Sequence, residues 1–152
     1  MVKKIFLSVI AIFIFINVTF AGELAQIRIT ANNVSVIASL ENNPTSTAFY
    51  NKLPLTLHMK DLYKRELCFF SPTAYPTGQL TASSYKVGDL IYWPPRHCIV
   101  ILYKQNGERF QRQHMGHIET GAELFENIGD VDVTFEKIEK ATDIEEFEEL
   151  KF

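Results

Sequence analysis

The sequence predicts a mainly β domain, a closed barrel of about eight strands with two short capping helices. Three observations carry this expectation. Short apolar runs with period-two alternation recur through residues 26–136. Turn-forming residues separate them, among them Asn32-Asn33, Val87-Gly88-Asp89, Pro94-Pro95 and Asn106-Gly107. Helix signals are confined to two short segments. Many short strands leave unpaired edges unless the sheet closes on itself, which favours a barrel over a flat sheet.

The elements follow in chain order. Residues 26–40, QIRITANNVSVIASL, read as a hairpin. Ile27 and Ile29, then Val34, Val36, Ala38 and Leu40, alternate with other neighbours around an Asn32-Asn33 turn that tolerates positive φ. In NNPTSTAFYNKLP, Asn43 suits an N-cap, Pro44 the first helical position and Pro54 the stop. Ala48, Phe49 and Leu53 give that helix one apolar side. LTLHM (55–59) returns to period two, and the charged KDLYKRE leads into LCFFS (67–71), a further strand. PTAYPTGQLTASS, residues 72–84, reads as a long loop of the kind that often carries function. LIYW (90–93) is a strand that Pro94-Pro95 ends, because proline cannot donate to a ladder. CIVILY (98–103) is a continuous apolar strand expected at the centre of the sheet, and Asn106-Gly107 predicts a hairpin into RFQRQHM. A second short helix is expected around 119–128, with Ala122, Leu124, Phe125 and Ile128 apolar and Gly129 its stop. VDVTF (131–135) is the last strand.

Composition bounds the function. With 152 residues, 47% hydrophobic and 22% charged, the chain suits one globular domain rather than disorder. Residues 1–21 open with Lys3 and Lys4, continue with an apolar run from Ile5 to Ile16 broken only by Ser8, and end in Thr19-x-Ala21. That is the pattern of a signal peptide cleaved after Ala21. The alternative is an uncleaved anchor, which Asn17 and the short apolar length disfavour. The expected organisation is a signal peptide at 1–21, a domain at 22–136 and an acidic tail at 137–152, with a periplasmic or secreted location. Losing Lys3 and Lys4 takes the formal charge from −3 to −5. An acidic mature chain argues against nucleic acid and against stable membrane association after cleavage.

Several chemistries find little support. Cys68 and Cys98 are either one disulfide or two buried thiols, since both lie in apolar runs. Of four histidines only His114 and His117 are close, and their spacing does not suit two ligands on one strand face, so no metal and no cofactor are expected. His97 and Cys98 are adjacent, and adjacent strand residues point to opposite faces, which disfavours a nucleophile–base pair. Gly-x-Ser-x-Gly and phosphate-loop motifs are absent.

YKVGDLIYWPP, MGHIETGAELFENIGDVDVTF and NPTSTAFYNKLPLTLHM, in that element order, resemble the bacterial cyclophilin-like family of small β-barrel proteins. The resemblance spans residues 26–136 and implies a barrel like that of true cyclophilins, which are peptidyl-prolyl isomerases with eight strands and two capping helices. Cyclophilins carry Phe-His-Arg-x-x-Pro, whose arginine is the key catalytic group. The comparable stretch here is LCFFSP, with Phe69 three before Pro72 in the arginine's place. The loss matters because peptide-bond rotation faces a barrier of about 18–20 kcal/mol. A donor poised at the prolyl nitrogen stabilises the twisted state, whereas an apolar floor alone binds without selecting it.

The candidate ligand-binding residues are therefore Tyr92 and Trp93, as an aromatic wall, with Phe69, Phe110, Arg112 and His114. Phe110, Arg112 and His114 share one face if 109–115 is a strand, and the competing reading is an exposed polar strand. For Tyr92 to Pro95 the competing reading is a rigid structural corner. Catalytic residues are not assigned. The leading expectation is a module that binds a peptide or small molecule; the alternative is a peptidyl-prolyl isomerase with a non-standard site.

Overall fold

The computed structural model describes residues 22–139. The expected signal peptide, and the acidic tail beyond Glu139, lie outside the described residues. Eight strands form the sheet: β1 (Glu23–Ala31), β2 (Val34–Glu41), β3 (Leu55–Leu62), β4 (Glu66–Phe70), β5 (Asp89–Trp93), β6 (Cys98–Leu102), β7 (Gln113–Ile118) and β8 (Val131–Lys137). They close into a barrel in the order β1-β2-β7-β5-β6-β4-β3-β8, every neighbouring pair antiparallel. Alternate residues point inward and build one core, including Ile27, Ile29, Met59, Leu67, Ile99, Ile101, Val133 and Phe135.

The first hairpin turns at Asn32, whose φ is 52°. Helix α1 (Pro44–Tyr50) begins as the sequence predicts: Asn43 is extended, and its side chain accepts the Ser46 N–H at 3.0 Å. Phe49 enters the core and meets Phe135 edge-on, ring centroids 5.2 Å apart. The long loop holds as a loop, but Tyr75 anchors it in the barrel. Its ring packs on Phe49 and Tyr92, and its N–H donates to the Tyr92 hydroxyl at 3.0 Å.

Two expectations are corrected. Asn106-Gly107 does not make a hairpin: β6 pairs with β4 and β5, whereas β7 pairs with β5 and β2. Residues 103–112 instead form a connection held by the Tyr85 hydroxyl, which donates to Lys104 O or Asn106 Oδ1 and accepts the Asn106 N–H. The second helix shrinks to one 3-10 turn, Ala122–Phe125. Gly121 opens it with a φ of 90°, and only Ala122 and Phe125, three apart, are buried. That spacing suits three residues per turn.

Candidate functional site

Strand β6 shows why the outer surface of this barrel is unusual. All five of its residues are buried, so the unbroken CIVIL run has cover on both faces. Ile99 and Ile101 enter the core. Cys98, Val100 and Leu102 point outward and join Cys68, Ile91 and Tyr85 in a second apolar cluster. Phe70, Trp93 and Phe110 pack at its margin. Between these residues lies a groove of about 490 Å³ on the outside of β4, β6 and β5.

Its floor is apolar: Cys68, Ile91, Cys98 and Val100. Both cysteines are free thiols, so the disulfide alternative does not hold. Cys68 is paired with Val100 and Cys98 with Phe70, which makes the cysteines diagonal neighbours on one face. A hydrogen bond with Cys98, burial and the nearby Glu66 carboxylate all push the Cys68 thiol up, so it is no activated thiolate. One end of the groove is charged. Arg65 bonds Glu66 at 3.2 Å and also Glu108, which ties the 103–112 connection to β4. Burial raises the Glu66 carboxyl pKa despite Arg65 and Cys68. At the rim Arg96, on the Pro94–Arg96 turn, sits 4.6 Å from the Phe70 ring centroid. Chemically the groove offers an apolar slot, aromatic walls and two guanidinium groups.

A family model described as the Cyclophilin-like family matches residues 29–136, nearly all of the barrel. The chain belongs to the Cyclophilin-like family. Among solved structures, this cyclophilin-like chain is similar to a hypothetical protein of Archaeoglobus fulgidus determined in solution. The TM-score is 0.60 at 17% identity, over 79% of this chain and 98% of that one, a likeness of fold. No curated protein matches the chain.

The residues singled out from the sequence separate into three places in the cyclophilin-like barrel. Trp93 and Phe110 line the groove. Tyr92 and Phe69 do not; both pack with the barrel core. Phe69 pairs with inward-facing Ile99, so the position that LCFFSP aligns with the cyclophilin arginine faces inward, and the outward residues of β4 are Glu66, Cys68 and Phe70. Arg112 and His114 line a different cavity. Regular strand geometry begins only at Gln113, so Phe110 and Arg112 do not continue the β7 alternation. Arg112 is buried rather than exposed, its guanidinium carbon 5.3 Å from the Phe110 ring centroid.

His114 and His117 both reach Asp89, contrary to the spacing argument. His114 Nε2 is 3.2 Å and His117 Nδ1 3.0 Å from Asp89 Oδ1. A β-bulge explains it: Leu90 pairs with Gly116 but Ile91 with His114, so β7 carries one extra residue and both rings emerge on the outer face. Glu41 Oε1 lies 2.6 Å from His114 Nδ1. Burial works against ionisation of Asp89, but hydrogen bonds from His114, the Lys86 N–H and His117 outweigh it and hold the carboxyl at about 2. Burial lowers the His114 pKa, yet Asp89 and Glu41 together raise it overall. Among the described residues no three His, Cys, Asp or Glu side chains are arranged to hold a metal ion.

Sequence reasoning missed Phe70, Arg96, Arg65 and Tyr85. The available signal was the five-residue apolar run of β6: a strand apolar on both faces needs a cover outside the barrel, and residues on neighbouring strands with its outward parity line the space beneath.

Proposed function

We propose that this cyclophilin-like domain is an exported binding module whose outer groove takes an apolar or aromatic side chain of a peptide, or a small ligand of that chemistry. The apolar floor on the outside of β4, β6 and β5 carries the reading. Its volume, about 490 Å³, falls within the range of about 300–1,000 Å³ usual for small-ligand pockets. Trp93 and Phe70 wall the slot. Arg96 has no carboxylate partner among the described ion pairs, which leaves its guanidinium available to a carbonyl or carboxylate. Export is supported by the basic start, apolar run and Thr19-x-Ala21 of the N-terminus. N-terminal sequencing of the protein recovered from cell fractions tests it: a mature start at Gly22 is expected, and an intact Met1 in the cytosol contradicts it.

Arg96 also motivates a second reading, a peptidyl-prolyl isomerase with a relocated arginine. An arginine on the groove rim has the donor chemistry that twisting a prolyl bond requires. NMR exchange spectroscopy on an X-Pro peptide distinguishes the two. The binding module perturbs peptide signals without speeding cis/trans exchange. Acceleration that disappears in Arg96→Ala and Trp93→Ala establishes the isomerase instead. No perturbation by any peptide of a panel varying the residues beside proline, with the protein folded, contradicts both.

A further inference from the structure

A second cavity, of about 430 Å³, opens beside the start of β5 and the outer side of β7. Its chemistry is the opposite of the groove's, because every lining residue is polar or charged. Arg112 is the unusual member. It is 2% exposed, yet no carboxylate bonds it. Its Nη1 donates to Ser83 O at 2.5 Å and to Phe110 O at 3.2 Å. Its Nε has no partner at all, and it is the one buried side-chain nitrogen or oxygen among the described residues left in that state. A buried guanidinium held only by carbonyls, with a free N–H, is costly unless an anion completes it.

The neighbouring carboxylates are already committed. Asp89 Oδ1 faces both histidines and its Oδ2 accepts the Lys86 N–H at 2.8 Å, while Glu41 faces His114. His114 meets a carboxylate at each ring nitrogen, and only the doubly protonated ring donates at both. Three cations, Arg112, Lys86 and His114, therefore stand against two anions, Asp89 and Glu41. Hydroxyls of Thr81 and Ser83, 3.3 Å apart, line the same space.

We propose that this cavity is a binding site for a small oxyanion-bearing ligand, a carboxylate or phosphate group, gripped by the unpartnered Nε edge of Arg112 with Lys86 and the Thr81 and Ser83 hydroxyls as further donors. The Nε–H and the adjacent Nη2–H of a guanidinium run parallel and match two oxygens of such a group. Nη1, the nitrogen outside that fork, is the one that holds the backbone and keeps the fork oriented. The site is separate from the groove and does not depend on what the groove binds.

The test is an NMR titration of the purified protein that follows the Arg112 Nε–H and the amides of residues 81–86. One arm uses inorganic phosphate, a second malonate and a third chloride at matched ionic strength. A saturable shift at Arg112 in the phosphate arm, the malonate arm or both, absent with chloride, is expected. The responding arm identifies the oxyanion. Arg112→Gln weakens that binding at least about tenfold. If that buried substitution prevents folding, exposed Lys86→Ala decides, with an expected loss of about two- to fivefold. No saturable shift in either arm, shifts mapping elsewhere, or unchanged affinity in Lys86→Ala overturns the proposal.

Discussion

At the residue scale, Gly116 and Asp89 govern the polar side of the barrel. Gly116 pairs with Leu40 of β2, and a Cβ on Gly116 would stand 2.3 Å from Ser39 O. Gly116→Ala is expected to cost at least about 2 kcal/mol, because backbone rather than a flexible side chain must move. Urea unfolding at fixed pH measures it. Asp89 organises the two histidines. Its folded pKa lies below the ordinary carboxylate value, so its contribution is complete above about pH 4 and is lost as pH falls toward 2. Asp89→Asn is expected to destabilise by about 2 kcal/mol at pH 6, with the gap closing below pH 4. The His114 contribution has the opposite sign. Its folded pKa is raised, so the stabilisation is complete below about pH 6.5 and is lost as pH rises through the folded value. A His114→Gln variant therefore approaches the parent in stability under alkaline conditions, which parallel urea titrations across pH can check. Neither relation was legible from the residues in order. A spacing of three looks wrong for one strand face until the bulge is known, and the glycine within it is required by a close approach to a strand far away in sequence. Phe69 teaches the same lesson: a motif aligned by its distance from Pro72 lands on an inward parity, while Phe70 beside it lines the groove.

At the element scale, two connections position the cavities. The start of α1 holds the bulge, since Asn43 Nδ2 donates to His114 O at 2.9 Å and the Ser46 hydroxyl to Met115 O at 2.8 Å. Asn43 thus serves as both helix cap and bulge support. Its replacement by Ala is expected to cost about 1–3 kcal/mol, measured by thermal or urea unfolding. The 103–112 connection is held by Tyr85, 1% exposed, whose hydroxyl engages Lys104 and Asn106. Tyr85→Phe is expected to cost about 1–2 kcal/mol and to speed amide exchange at Asn106, while β6 amides keep their protection. Equal exchange at Asn106 in both proteins contradicts that assignment. Strands, the first hairpin and the α1 cap were legible because each depends on local chemistry. The Asn106-Gly107 turn signal was equally local, but strand pairing is not. The partners of β7 are β2 and β5, and β5 stands between β7 and β6, so the chain must cross the outer face instead of folding back.

At the scale of the whole molecule, closure of the barrel accounts for the core and leaves the outside to differentiate. Over β4, β6 and β5 it is apolar and becomes a groove; beside β7 it is polar and becomes the Arg112 cavity. The two meet at Arg112, which lies against the ring of Phe110, a residue that lines the groove, and donates to its carbonyl. The barrel was legible in the sequence because period-two runs and turn residues repeat along it. The groove was only half legible: Trp93 and Phe110 stand in it, but the residues that complete it come from turns and strand parities that no local motif marks. Trp93 is the sole tryptophan of the chain and lines the groove. Its intrinsic fluorescence reports on that site alone, and a titration with proline- and aromatic-containing peptides is the most direct test of the groove as a binding site. A saturable change in Trp93 emission, lost in Phe70→Ala with the barrel still folded, is the predicted result. Emission unchanged across the peptide panel, or a change that survives Phe70→Ala undiminished, contradicts it.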